Sequence, residues 1–133
     1  MPVTGTETFK TRDASSYDSL TEQFDQFTER LSSPLAERMV ELADISPSDH
    51  VLDVGTGTGV VALRVARKIG EGGMVCGIDL SQPMLATAAV KAKSLGGDPK
   101  IEFRCMDAER LEFEDSTFDR VVSQFALLHF PDP

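Results

Sequence analysis

A glycine occurs at every second position from Gly55 to Gly59, directly after the apolar segment 51–54. Glycine loses more backbone freedom on folding than any other residue, so this spacing indicates a loop that something approaches closely. The short apolar run before it is typical of a strand buried on both faces. After it, apolar residues share one side of a helix, from Val61 to Ile69. The segment is therefore predicted to be a strand, a tight loop and a helix.

The rest of the chain continues this alternation. Met74–Leu80 is predicted to be a second strand, and Ser81 is predicted to cap a helix that extends to Leu95. A third strand is expected at 101–105 and a fourth within 118–128, centred on Val121 and Val122. Two amphipathic helices, from Tyr17 to Leu31 and from Pro34 to Ala43, precede them all. Right-handed crossovers make such a chain an α/β protein with an open, mostly parallel sheet and helices on both faces.

Composition limits the classes of partner. The 133 residues suit one domain, with 1–16 as a flexible arm and 17–133 as the folded unit. A net charge of −9 disfavours nucleic-acid binding, and no apolar run approaches the roughly 20 residues that a membrane span needs. Cys76 and Cys105 are predicted to be reduced core thiols of a cytoplasmic protein, with a metal site or a disulfide as alternatives.

Three kinds of ligand compete for the glycine loop. A phosphate-binding P-loop needs lysine and then serine or threonine after the glycines, but Val60 and Val61 follow here. A dinucleotide fingerprint needs its third glycine at position 60. Asp53, inside the strand, would repel a pyrophosphate but would suit an ammonium or sulfonium group. The residues therefore favour a cationic nucleoside, and an NAD-dependent oxidoreductase is the weaker alternative.

Two further carboxylates are expected beside this loop. In open parallel sheets, ligands bind beyond the carboxyl ends of the strands. Asp79 ends the second strand, where it can accept hydrogen bonds from both hydroxyls of a ribose. Asp107 follows the third strand and can accept from the exocyclic amine of adenine, while the N–H of Ala108 serves a ring nitrogen. Any one of these aspartates alone could be an ordinary solvated turn residue, but three in this register point to one shared crevice.

In this order and spacing, the segments VLDVGTGTG, GIDLS, CMDAE and FDRVVSQFALLHFPDP resemble the class I S-adenosylmethionine-dependent methyltransferases. They are most similar to the ubiquinone/menaquinone-biosynthesis C-methyltransferases. The resemblance runs from about Tyr17 to Pro133 and implies a Rossmann-like sheet, S-adenosyl-L-methionine as cofactor and a small-molecule methyl acceptor.

The resemblance also implies roles for individual residues. The backbone of the glycine loop would run beside the methionine part of the cofactor, and Asp53 would lie near the amino end of that part. Asp79 would hold the ribose, and Asp107 and Ala108 would bracket the adenine. The remaining expected cofactor contacts are Tyr17, Gly55, Thr56, Gly57, Gly59, Leu80, Met84 and Gln124. Phe24 and Phe27 would belong to a lid over the site, or simply to a core-packing helix.

His129 is the candidate catalytic base, because His50 is predicted at the opposite, amino end of the first strand. A packing or substrate-wall role for His129 is the alternative. Methyl transfer needs positioning and exclusion of water more than a nucleophilic residue. Carbon, nitrogen and oxygen acceptors are all compatible with these motifs.

The resembling enzymes have seven-stranded sheets, whereas this chain stops after its fourth strand. We therefore expect the N-terminal, cofactor-binding part of a longer methyltransferase, truncated after the fourth strand. The exposed edge of that strand would favour aggregation or pairing. The alternative function is a non-catalytic module that forms a homodimer through this edge or by exchange of the N-terminal helices.

Overall fold

The computed structural model describes residues 20–96 and 100–127. The predicted arm 1–16 lies outside these ranges, as do Tyr17 and His129, and the side chain of Phe24 is not described either. Eight elements follow one another in the predicted order. They are α1 (Thr21–Leu31), α2 (Ser33–Leu42), β1 (His50–Val54), α3 (Val60–Ala66), β2 (Met74–Asp79), α4 (Gln82–Ser94), β3 (Ile101–Cys105) and β4 (Arg120–Val122).

Local chemistry explains where the helices begin. Ser81 is the N-cap of α4, and its hydroxyl accepts a hydrogen bond from the Met84 N–H at 3.4 Å, as predicted. The start of α2 differs from the prediction by one residue. Ser32 is the N-cap, and Ser33 is the first helical residue, whose hydroxyl donates to Glu29. The helix α3 ends at Ala66, earlier than the apolar pattern suggested, because the backbone tightens into a short turn at Arg67 and Lys68.

All four strands are parallel, in the order β3-β2-β1-β4. The register sets Asp53 opposite Gly77 on β2 and Val122 on β4, and it sets Asp79 opposite Cys105 on β3. Every strand therefore ends at the same edge of the sheet, and the loops that follow the strands meet there. His50 begins β1 and lies at the other edge, as predicted.

Alternate strand residues face two separate cores. One core joins β1, β2 and β4 to α2 and α3 through Val51, Val75, Val122, Ala36 and Val65. The helix α4 packs against β3 and β2, and the methyl group of its Ala88 approaches Gly59, the N-cap of α3. The second core joins Leu52, Val54, Cys76 and Ile78, and within the described ranges loop side chains such as Met106, Phe113 and Phe118 pack against it.

The two cysteines differ in environment, which corrects the prediction of two core thiols. Cys76 is buried, and burial raises the pKa of its thiol to about 11. Cys105 is exposed at the end of β3, because β3 is an edge strand with one wet face. Both thiols are free.

Candidate functional site

The glycine loop leaves β1 in a backbone conformation that side chains rarely adopt. Gly55 has φ +70° and Gly59 has φ +87°. A methyl group on Gly55 would overlap that of Ala126, and one on Gly59 would lie 3.1 Å from that of Ala88. The Thr56 N–H donates to the Ile78 carbonyl at 2.9 Å, which ties the loop to β2. The glycines therefore let the loop fold tightly against its neighbours as well as present bare backbone.

Asp53 is the most deeply buried of the three predicted carboxylates. It is 1% exposed, and its Oδ2 accepts a hydrogen bond from the Thr56 hydroxyl at 2.8 Å. Burial raises the pKa of this carboxyl to about 7, and the neighbouring charge of Asp79 adds to the effect. Hydrogen bonds from Thr56 and from the Ala62 backbone oppose the rise. A cation beside Asp53 would stabilise its charged form.

Asp79 organises the loop on which a ligand would rest. One carboxylate oxygen accepts from the Gly57 N–H at 2.9 Å, and the other accepts from the Ser81 N–H at 3.0 Å. Asp107 has a local partner of the same kind, the Glu109 N–H at 2.9 Å. Each carboxylate oxygen can accept more than one hydrogen bond, so one carboxylate can hold a loop amide and bind a ligand at the same time.

One cavity of about 520 Å³ brings these residues together. That volume lies within the range of small-molecule sites, roughly 300–1,000 Å³. Ten of the predicted cofactor residues line it: Asp53, Gly55, Thr56, Gly57, Asp79, Leu80, Met84, Asp107, Ala108 and Gln124. Gly59 is not among the lining residues. It is instead the left-handed N-cap of α3, where a side chain would press on Ala88 and Leu63.

The sequence did not indicate several other lining residues. Thr58 lies in the glycine loop, and its hydroxyl is the buried side-chain oxygen without a partner among the described residues. Leu31, Ser32 and Leu35, at the junction of α1 and α2, form part of the mouth of the cavity. Their helical spacing was visible, but an apolar stripe does not reveal whether it faces a core or a cavity.

Residues 124–126, in the segment after β4, form another part of the cavity wall. The Ser123 hydroxyl donates to the Val54 carbonyl at 2.9 Å, and Gln124 Nε2 donates to the Ser32 carbonyl at 3.3 Å. Between these anchors and Ala126, Phe125 has φ +60°, a strained conformation for a bulky residue. The side chain of Phe125 is exposed and lines the cavity.

Ion pairs hold α1 and α2 over the site. Lys91 on α4 pairs with Asp25 and lies 3.5 Å from Glu29, both on α1. Arg64 on α3 donates to Glu37 on α2 at 2.8 Å. The helices that carry the mouth are therefore attached to the helices that cover the sheet.

Within residues 20–96 and 100–127, no group of three or more His, Cys, Asp or Glu side chains is placed to hold a metal ion. None of the described helices combines the length and the apolar character that a bilayer crossing requires.

Comparison with known proteins decides the family. The family model described as "Methyltransferase domain" matches residues 51–133. The chain belongs to the S-adenosylmethionine-dependent methyltransferases. Its cofactor is S-adenosylmethionine, and the resemblance and the predicted parallel, Rossmann-like sheet with helices are confirmed.

Relatives of this methyltransferase domain are considerably longer than it is. It is 33% identical over 116 residues to nocamycin O-methyltransferase of Saccharothrix syringae, covering 87% of this chain and 41% of the relative. It is 38% identical over 93 residues to demethylmenaquinone methyltransferase of Bacillus cytotoxicus, covering 70% and 39%. The crystal structure of a SAM-dependent methyltransferase from Aquifex aeolicus superposes with a TM-score of 0.74 at 26% identity, covering 87% and 61%. The chain thus spans about two fifths of the length of these curated relatives.

Proposed function

We propose that this chain binds S-adenosylmethionine in the cavity beyond the strand ends and is the cofactor-binding part of an enzyme that methylates a small molecule. The observation that carries the proposal is the convergence of Asp53, Asp79 and Asp107 on one cavity beside a left-handed glycine loop. The names of the relatives support a small-molecule acceptor, since nocamycin and demethylmenaquinone are small molecules.

The residues present fit this cofactor. Asp53 is a buried carboxyl whose charged form a nearby cation would stabilise, and the cofactor carries both a sulfonium and an ammonium group. Asp79 carries carboxylate oxygens of the kind that accept hydrogen bonds from ribose hydroxyls, and it already holds the Gly57 amide in place. Asp107 and Ala108 would take the adenine edge, and the apolar side chains of Leu80 and Met84 would pack on its faces.

The chemistry then needs little from the protein besides position. When bound, the cofactor supplies a methyl group that already has a good leaving group. The cavity walls orient the acceptor in line with that methyl group and keep water away from it. His129 stays a predicted base for acceptors that must lose a proton, and it lies outside the described residues. Tyr17 likewise stays a predicted cofactor contact.

Calorimetry with S-adenosylhomocysteine tests the proposal. We expect micromolar binding by the chain and a loss of about tenfold or more in Asp79→Ala, because this change removes a ribose acceptor and frees the Gly57 amide. Asp115→Ala, which removes an exposed carboxylate outside the cavity, is the matched control and should bind as the parent does. No heat at millimolar ligand, or equal binding by both variants, would contradict the proposal. Competition by NADH for the same site would favour the oxidoreductase alternative.

A second candidate is a module that self-associates through β4. Val121 is 64% exposed on β4, and the nearby Phe125 and Leu127 are exposed as well. In the described sheet, β4 pairs with β1 and forms one end of the strand order, so its other edge is available for pairing. Sedimentation at increasing protein concentration tests this homodimer, which a concentration-independent monomer would exclude. For either function, we also propose a cytoplasmic location. The two free thiols support this location.

A further inference from the structure

Asp53 lines the cavity and yet is almost completely enclosed by the protein. Its carboxyl accepts hydrogen bonds from the Thr56 hydroxyl and from the Ala62 backbone. Among the described residues, no lysine, arginine or histidine forms an ion pair with Asp53, and the neighbouring charge of Asp79 is negative as well. A buried carboxylate without a counter-charge is costly, and such a group takes up a proton instead. The surroundings of Asp53 therefore favour a neutral carboxyl in the absence of a cation.

The other charged side chains on the elements packed against β1 are engaged elsewhere. Those on α2, α3 and β4 form the ion pairs Arg64–Glu37, Arg38–Glu41 and Arg120–Asp49. Arg120 lies opposite Val51 in the register, nearer the amino end of β1 than Asp53 is. His50 begins β1 at the opposite edge of the sheet, where its ring contacts the Gly72 carbonyl at 3.1 Å. None of these cations forms an ion pair with Asp53 within the part of the chain that the structure describes.

Asp79 shares the cavity with Asp53 but has a different set of partners. The Gly57 N–H donates to one of its oxygens at 2.9 Å, and the Ser81 N–H donates to the other at 3.0 Å. Asp79 is also only partly buried. Backbone donors and contact with water both stabilise a charged carboxylate. Of these two acids, Asp53 is therefore the one whose surroundings favour a bound proton.

We propose that Asp53 exchanges a proton for the ammonium group of the cofactor, so that cofactor binding releases a proton and the affinity rises with pH. The inference rests on the proposed function, because it needs the amino-acid end of the cofactor beside Asp53. In this step the O–H bond of the carboxyl breaks, the proton passes to solvent water, and the resulting carboxylate pairs with the ammonium group.

The contacts of Asp53 suit both states of this exchange. A protonated carboxyl keeps acceptor capacity, so the Thr56 hydroxyl and the Ala62 N–H can donate to either form. Burial raises the pKa of the carboxyl to about 7, which places the exchange near neutral pH. Below that pH, binding has to displace the proton and is weakened, whereas above it the carboxylate is already formed.

Calorimetry in two buffers of different ionisation enthalpy measures the released protons. The ligand is S-adenosylhomocysteine, which carries the ammonium group without the sulfonium. We expect the parent chain to release close to one proton at about pH 6 and close to none at about pH 8, with an affinity about tenfold higher at the higher pH. 5′-Methylthioadenosine, the same thioether nucleoside without the amino-acid part, should bind with no proton release and with an affinity that does not change with pH.

Two variants assign the proton to its residue. Asp53→Asn keeps an oxygen that can accept from Thr56 and has no proton to exchange, so its S-adenosylhomocysteine affinity should be the same at both pH values. Asp115→Asn, which changes an exposed aspartate outside the cavity, should release protons as the parent does. Proton release by another group, such as His50, would persist in Asp53→Asn.

The outcomes separate this exchange from the proposed function. Absence of S-adenosylhomocysteine binding by the parent chain at either pH overturns both. Binding without proton release at about pH 6 overturns the exchange alone. Release that persists in Asp53→Asn, or that accompanies 5′-methylthioadenosine equally, also overturns it, because the proton then comes from another group or does not depend on the ammonium.

Discussion

Asparagine at position 53 should change how stability depends on pH. In the folded protein, burial raises the pKa of the Asp53 carboxyl from 3.8 to about 7. The folded state therefore retains a proton that the unfolded state has already released between these two values, and stability falls as pH rises through that window. Above about pH 7 the Asp53 carboxyl is ionised in both the folded and the unfolded state. The loss of stability is then complete and no longer changes with pH.

The size of this effect follows from the separation of the two pKa values. Each pH unit within the window is worth about 1.4 kcal/mol, so the linkage between about pH 5 and about pH 8 amounts to ~2–3 kcal/mol as an upper bound. Asp53→Asn retains an oxygen that accepts the Thr56 hydroxyl and has no charge to bury. Relative to the parent, the variant should therefore gain stability as pH rises.

Urea unfolding of both proteins at several pH values measures the difference. Asp115→Asn, an exposed aspartate, provides the control and should follow the parent closely. The reasoning is refuted if the stability curves of Asp53→Asn and the parent run parallel across the whole range. A difference that grows toward low pH would also refute it, because it would mean that the native site favours the charged carboxylate.

Three further changes test contacts that build the site. Gly55→Ala should lower stability by about 2–4 kcal/mol, from left-handed strain and overlap with Ala126, and a second change, Ala126→Gly, should restore part of the loss in thermal melts. Lys91→Met should cost about 1 kcal/mol at low salt by removing the pair with Asp25, with the loss shrinking as salt is added. Ser81→Ala should cost about 1 kcal/mol in urea unfolding through the lost helix cap, whereas no change would mean that water replaces the serine.

Much of the fold could be predicted because its signals are local. Apolar runs, helical stripes and helix-ending glycines each occupy a few neighbouring residues, and parallel pairing then brings the strand ends to one edge. The three aspartates could be placed together on this argument alone, and they do line one cavity. The exposure of Cys105 was harder to predict. Alternating side chains point to opposite faces of a strand, but the alternation does not show which face is covered.

Contacts between distant segments of the chain were not visible in the sequence. The hydrogen bond from Gln124 to Ser32 joins residues 92 positions apart, and nothing local signals it. The left-handed backbone at Phe125 is imposed by its surroundings, since phenylalanine disfavours it. The position of Gly59 shows the same limit. Gly55 and Gly57 line the cavity, whereas Gly59 packs against a helix, and the even spacing of the three glycines does not distinguish these roles.

The four residues after β4 connect two regions that ligands would occupy separately. Ala126 touches Gly55 in the cofactor loop, and Gln124 holds the joint between α1 and α2. Any shift of the loop on cofactor binding has to be accommodated by this short span, and so by the entrance through which an acceptor would pass. By thermodynamic reciprocity, an acceptor that settles in the entrance would then alter cofactor affinity by the same factor. Binding at the loop and binding at the entrance would thus depend on each other.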